Sequence, residues 1–197
     1  MTTDSSKTTS NLINDLKSIP SPVFYIFAAV AVFAGIFVCG FNAVGIATCV
    51  FLLLLAACAS ADIKAGIVPD LIVIMIAVFG VINFIIIEGF SIPGLISHLI
   101  GAVCLSVPML IISLIIKKAF GGGDIKLSAA AGLYLGWKFA ITGIAVGLFI
   151  SGIYALILII SKKAKLKSTI RIAPCLALGF GLASLFGELF ANFLFIW

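Results

Sequence analysis

Long apolar stretches occupy almost all of the chain after residue 23, and this feature most constrains what it can fold into. Stretches of roughly 17–25 apolar residues can cross the hydrocarbon of a bilayer as helices. Hydrophobic residues make up 63% of the 197 positions, charged residues 10%, and mean hydropathy is +1.38, far from the values of soluble globular domains. The sequence therefore predicts an all-α, polytopic integral membrane protein with the lipid bilayer as its surroundings.

Seven candidate spans, of which one is short, can be placed along the chain. They are Phe24–Gly40, Ala43–Ala61, Leu71–Ile87, Gly94–Ile116, Ile125–Gly136, Ile141–Ile160 and Ile172–Trp197. Phe41-Asn42 is either a loop or a kink, so we expect about six to seven spans. The first 22 residues are polar and lack the pattern of a cleaved secretion signal. We predict a cytosolic tail over residues 1–22 and one membrane domain over residues 23–197; an uncleaved signal anchor at the first span gives the same topology.

The basic residues predict how the chain is oriented in the membrane. With the N-terminus inside and seven alternating spans, eleven of the twelve basic residues fall on the cytoplasmic side, and only Lys138 lies outside. The net charge of +5 is thus explained by topology rather than by nucleic-acid binding. We expect a multi-pass protein of the plasma membrane.

Two carboxylates stand at the ends of apolar segments. Asp62 follows the run Ala43–Ala61, and Asp124 follows three glycines and begins another apolar run. A charge beside lipid is costly and is by default a sign of function. In the predicted topology both acids lie at the cytoplasmic face, so they can meet there and form one site.

Two neighbouring carboxyl groups can share a proton, so that one acts as a general base on water while the other polarises a carbonyl. This chemistry needs neither a metal nor a cofactor, and we predict neither. The five cysteines contain no C-x-x-C pair, which argues against a zinc ribbon. The glycines before Asp124 can adopt a positive φ or let an extended peptide come close to the backbone.

These residues carry a family resemblance. Asp62 with Pro69-Asp70, then Gly121-Gly122-Gly123-Asp124-Ile125-Lys126-Leu127, then Pro174-Cys175-Leu176-Ala177-Leu178-Gly179, resembles the prepilin peptidase family of GxGD membrane aspartyl proteases. The resemblance implies that Asp62 and Asp124 are the catalytic pair. It also implies an active-site loop of Gly121, Gly122, Gly123 and Lys126, with Pro69 and Asp70 as secondary candidates.

The resemblance also implies a substrate. Members of this family remove the short basic leader of type IV prepilins, pseudopilins or preflagellins at the cytoplasmic membrane face. Many bacterial members carry an insert with two C-x-x-C pairs and N-methylate the new terminus, but this sequence has neither pair. We therefore expect a peptidase without N-methyltransferase activity. Ile172-Ala173-Pro174-Cys175 stands where the family often has Pro-Phe-Gly-Pro.

Other readings of these residues remain open at this stage. Asp70 follows a proline and suits the N-terminus of a helix as a capping residue. Lys126 can bias the protonation of the acid pair, bind lipid phosphate or act as a cytoplasmic anchor. The acids can instead belong to a small proton- or cation-coupled transporter, or the chain can be an inactive assembly factor of a pilus or secretion system.

Overall fold

The computed structural model describes residues 22–116, 120–161 and 171–194, so most of the predicted tail lies outside the described residues. Within these ranges the chain is helical and has no strand, which confirms the predicted all-α class. The helices are α1 (Pro22–Cys39), α2 (Ala43–Ala65), α3 (Asp70–Asn83), α4 (Ile92–Ile115), α5 (Gly122–Ile160) and α6 (Ala173–Leu194). A π-helical turn at Phe84–Glu88 extends α3.

Capping residues set the ends of α2. The Asn42 side chain accepts a hydrogen bond from the Gly45 N–H at 2.8 Å, as an N-cap does. Gly40 has a φ of 74°, so Phe41-Asn42 belongs to a short link between two helices rather than to a kink within one. At the other end, Gly66 adopts the left-handed conformation, with a φ of 68°, and ends α2.

Helix α2 lies in the middle of the bundle, and its neighbours run antiparallel to it. The ring of Phe51 stacks on Tyr134 of α5, with centroids 3.9 Å apart. Leu52 packs beside Gly181 of α6, while Gly66 at the end of α2 lies beside Arg171, just before α6 begins. These contacts bring the C-terminal end of α2 together with the start of both α5 and α6.

Helix α5 reverses direction at Gly136, whose φ of 73° and ψ of 166° are not helical. We call the segments on either side α5a (122–135) and α5b (137–160). Whereas α5a runs antiparallel to α2, α5b runs antiparallel to α6, because Phe139 meets Gly187 and Gly147 meets Leu176. The two segments therefore form a hairpin, which corresponds to the predicted separate runs Ile125–Gly136 and Ile141–Ile160.

The lengths and surfaces of the helices suit a membrane. In the described part of the chain, three helical ranges are long and apolar enough to cross a bilayer: Ala43–Ala65, Ile92–Ile115 and Gly122–Ile160, the last of which includes the reversal at Gly136. The shorter apolar helices are Phe24–Cys39, Asp70–Ile86 and Ala173–Gly187. Large apolar side chains, among them Phe33, Phe37 and Leu114, are exposed on the outside of the bundle. An apolar exterior of this extent indicates contact with lipid.

The bundle has two distinct ends. We call the end that carries the termini at Ala65, Asp70, Gly122 and Ala173 the acid end, because Asp62 and Asp124 lie there. At the opposite end, Cys39, Asn42, Phe139 and Gly187 line one cavity. The bundle therefore brings sequence-distant helix termini into one place at the acid end.

Candidate active site

Asp62 lies in the last turn of α2, which ends one turn later than the sequence predicted. Only 7% of its surface is exposed. Its Oδ2 atom is buried without a hydrogen-bond partner in the described part of the chain. A buried carboxylate oxygen without a partner is costly and indicates a group that a ligand or water satisfies.

Asp124 lies in the first turn of α5a and is 9% exposed. Its Oδ2 accepts a hydrogen bond from the Gly121 N–H at 3.2 Å, and the Asp124 N–H donates to the Gly121 carbonyl at 3.0 Å. These bonds cap the helix and fix the orientation of the carboxyl group. Asp124 thus caps its own helix, and the cap holds its carboxyl group toward the same cavity as Asp62.

One cavity contains both acids. Its volume is about 390 Å³, and its wall is formed by the α2–α3 loop and the glycine loop before α5a. The lining residues are Asp62, Gly66, Ile67, Val68, Pro69, Asp70, Gly121, Gly122, Gly123, Asp124 and Lys126. The charge of Asp62 also acts on Asp124. Every residue that the sequence singled out as a site candidate therefore lies in this cavity wall.

The glycine loop needs close approach rather than a positive φ. A Cβ at Gly123 would lie 2.8 Å from the Cβ of Val68, a distance that requires something to move. A Cβ at Gly121 would lie 3.0 Å from Oδ2 of Asp124, whereas one at Gly122 would meet nothing within 4 Å. Gly121 has a φ of −70°, and the left-handed glycine of this site is Gly66 in the opposite loop.

Asp70 and Lys126 form an ion pair at the rim of the cavity. The Lys126 Nζ donates to both carboxylate oxygens of Asp70, at 2.8 and 3.0 Å. Both side chains are exposed, so the pair contributes at most about 1 kcal/mol to stability. Pro69 occupies the N-cap of α3, and no side-chain capping bond is formed there. Asp70 thus joins α3 to α5a instead of capping its own helix.

Arg171 also lies at this site, although it was not among the site residues predicted from the sequence. Its Nη1 donates to the Ile63 carbonyl near the end of α2, and its guanidinium group lies beside Gly66. Its charge also acts on Asp62. Arg171 is the chain's one arginine, which was the signal available in the sequence. Across the described residues, no three His, Cys, Asp or Glu side chains form a group that could hold a metal ion.

A sequence profile of the type IV leader peptidase family matches residues 49–160, which is more than half of the chain. The chain belongs to this family. The matched range contains both buried acids, the glycine loop and the ion pair, but ends before Arg171 and α6. A comparison with proteins of curated function and one with solved structures gave no match. The acid end is therefore the candidate active site of a leader peptidase whose helices suit a membrane.

Proposed function

We propose that this leader peptidase is an aspartyl endopeptidase with Asp62 and Asp124 as its catalytic pair. The observation that carries the proposal is that both buried carboxyl groups line one cavity in a chain of a peptidase family. Serine or cysteine catalysis would need a hydroxyl or thiol nucleophile beside the scissile bond. The described side chains that line this cavity supply neither a hydroxyl nor a thiol group.

The two carboxyl groups divide the work of peptide hydrolysis. When both are ionised they repel each other, so the pair retains one proton between them. The ionised carboxylate removes a proton from water, whose oxygen attacks the carbonyl carbon, while the protonated one donates to the carbonyl oxygen. The C–N bond then breaks as the amine nitrogen takes up the proton that the first carboxylate removed from water, while a hydroxyl group of the tetrahedral intermediate returns a proton to the second carboxylate. The Gly121 N–H holds Asp124 in position during these steps.

The substrates in this proposal are precursors of the type IV prepilin, pseudopilin or preflagellin kind, which carry a short basic leader. The proposal rests on membership of the family and on the position of the site. Among the described basic residues, Lys64, Lys126 and Arg171 lie at the acid end and Lys138 lies near the Gly136 turn at the opposite end. Basic residues favour the cytoplasmic side. We therefore infer that cleavage takes place at the cytoplasmic face of the plasma membrane.

The proposed enzyme lacks N-methyltransferase activity, because the sequence has no paired C-x-x-C motifs. The test is incubation of the purified enzyme with precursor and methyl-labelled S-adenosylmethionine. We expect cleaved product without label. Label that appears in the mature product, and not in the uncleaved precursor, would contradict this part of the proposal.

Asparagine substitution tests the catalytic pair. Asp62→Asn and Asp124→Asn should each lower the cleavage of a precursor with a basic leader by at least about a thousandfold, because each acid has a separate role. Both variants should remain folded in detergent by size-exclusion chromatography. Asp70→Asn is the comparison, since Asp70 lines the same cavity but is exposed and paired with Lys126, and it should retain most of the activity. An inactive Asp70→Asn beside a fully active Asp62→Asn would show that the pair is misassigned.

A further inference from the structure

An apolar groove runs along α5a and opens on the side of the bundle. Its floor is α5a, one wall is α3 and the other wall is α4, and its volume is about 460 Å³. The groove is lined by Val73, Ile74, Ala77, Ala102, Ala129, Ala130 and Leu133, with Asp70 and Lys126 at one end. Apart from that ion pair, none of the described side chains in the lining is charged.

The groove leads into the catalytic cavity. Asp70 and Lys126 line both spaces, so the ion pair stands where the groove ends and the cavity begins. Asp124 and the groove floor belong to one helix, and Ala129 lies five residues after the acid, which corresponds to about 7.5 Å along the axis. A chain that leaves the groove at the acid end therefore reaches the two carboxyl groups within two or three residues.

The shape and chemistry of the groove suit a helix. Ala77, Ala102 and Ala129 are small, and small side chains let the backbone of a neighbouring helix come close within a membrane. A groove without polar side chains requires an occupant that satisfies its own backbone hydrogen bonds, which an apolar helix does. From Lys126 to Leu133 the floor is about 10 Å long, which is two helical turns.

We propose that this groove docks the apolar helical segment of the substrate that adjoins the scissile bond. The inference rests on the proposed peptidase function and adds a binding surface to it. The docked helix ends at the Asp70–Lys126 pair, and its next residues enter the cavity in an extended form that exposes the scissile amide to the acids. The groove thus aligns the substrate, and the two acids in the cavity hydrolyse it.

A second apolar recess supplies the control. It lies between α1, α2 and α6, has a volume of about 190 Å³, and includes Ala31, Ala34 and Ala56 in its lining. Among the residues that the structure describes, no charged one lines it, and neither Asp62 nor Asp124 belongs to it. If any apolar recess in the bundle attracted the substrate helix, this one would do so as well. Comparing the two recesses therefore distinguishes specific docking in the groove from a general affinity of the substrate helix for apolar surfaces.

Cysteine crosslinking tests the contact directly. The enzyme carries Asp124→Asn, so that the precursor stays uncut, has its native cysteines replaced, and carries either Ala77→Cys or the control Ala31→Cys. The probe is a model precursor with a basic leader, about 20 apolar residues and one cysteine in the first turns of the apolar helix. We expect a disulfide with Ala77→Cys and none with Ala31→Cys. Equal crosslinking at both positions, or crosslinking at Ala31→Cys alone, would overturn the proposal.

Filling the groove tests its role in cleavage. In the active enzyme Ala77→Trp should lower kcat/KM for the model precursor at least about tenfold, because the side chain occupies the substrate's place. Ala31→Trp should change it by less than about twofold. Normal cleavage by Ala77→Trp, together with no crosslink, would mean that lipid alone fills the groove and would overturn the inference. Absence of cleavage by the wild-type enzyme would instead count against the proposed function, while the crosslink still reports on docking.

Discussion

The glycines before Asp124 differ in how much space an added Cβ would find, and the Cβ at Gly123 would make the shortest contact. Its missing Cβ lets the glycine loop pack directly on Val68 of the α2–α3 loop, so the two loops next to the acids are held in register. Gly122, one position earlier, faces open space. Neighbouring residues of the same type therefore have different structural roles.

Substitutions at Gly122 and Gly123 should therefore have different effects on stability and cleavage. Gly123→Val places its Cβ 2.8 Å from the Cβ of Val68 and forces the two loops apart, which should cost about 1–3 kcal/mol and lower cleavage at least about tenfold. Gly122→Ala meets nothing within 4 Å and should retain nearly full activity. The measurements are precursor cleavage and thermal unfolding in detergent. Equal activity in both variants would refute the role of this close approach.

Arg171 lies near the end of α2, and its charge acts on Asp62. Arg171→Gln removes both the bond to the Ile63 carbonyl and the positive charge that acts on Asp62, so cleavage should fall about tenfold or more. Arg171→Lys should restore part of the loss because it restores the charge. Lys138→Gln, near the far end, is the control and should have no effect. If Arg171→Gln cleaves at the wild-type rate across pH 5–9, Arg171 does not position the site.

At the scale of the elements, the reversal at Gly136 is the feature that allows α5a to lie between α2 and α4. The reversal leaves carbonyl groups of the last turn of α5a without helical partners. His98 of α4 lies 2.7 Å, through Nδ1, from the Leu133 carbonyl, so its ring N–H donates there. Its ring also packs on Phe84 at 5.0 Å between centroids. A buried histidine thus supports the break in the helix.

Gly136→Ala should destabilise the protein. The φ of 73° with a ψ of 166° is a region that residues with a Cβ avoid at a cost of about 1–3 kcal/mol, and the added atom would lie 3.2 Å from Oγ of Ser97. We expect a lower midpoint of thermal unfolding. Gly152→Ala in α5b is the matched control, because it meets nothing within 4 Å and favours the helix. A similar midpoint for the two variants would contradict the account of the turn.

Hydropathy and short motifs predicted most of the helices and singled out two acids that the structure places in one cavity wall. A bilayer requires apolar helices, and Asp62 and Asp124 were conspicuous because they border such runs. Local sequence patterns could not predict contacts between residues that are far apart in the sequence. Arg171 meets a carbonyl 108 positions away, and Lys126 meets an acid 56 positions away. The sequence left open a positive φ or a close approach for the glycines before Asp124; among the described residues they have no positive φ, and Gly123 lies close to Val68.

For the molecule as a whole, the distribution of charge between the two ends predicts its sidedness. Single cysteines replace Ile67 at the acid end and Lys138 near the Gly136 turn, in a background without native cysteines. Both positions are exposed. In intact cells a membrane-impermeant maleimide should label Lys138→Cys, whereas Ile67→Cys should be labelled only after the membrane is opened. The reverse pattern would contradict the proposed orientation and move cleavage to the outer face.

The packing of Gly123 against Val68 also bears on kinetics. Since the two loops next to the acids already pack together, we expect that hydrolysis need not wait for a closing motion, which limits turnover in many enzymes. The slow step then belongs to the substrate, whose helix must open at the scissile bond before water can attack. Turnover should therefore rise when glycine replaces a helix-forming residue just after the cleavage point and fall when helix propensity there increases. In this view, the sequence of each precursor near its cleavage point sets the rate at which it matures.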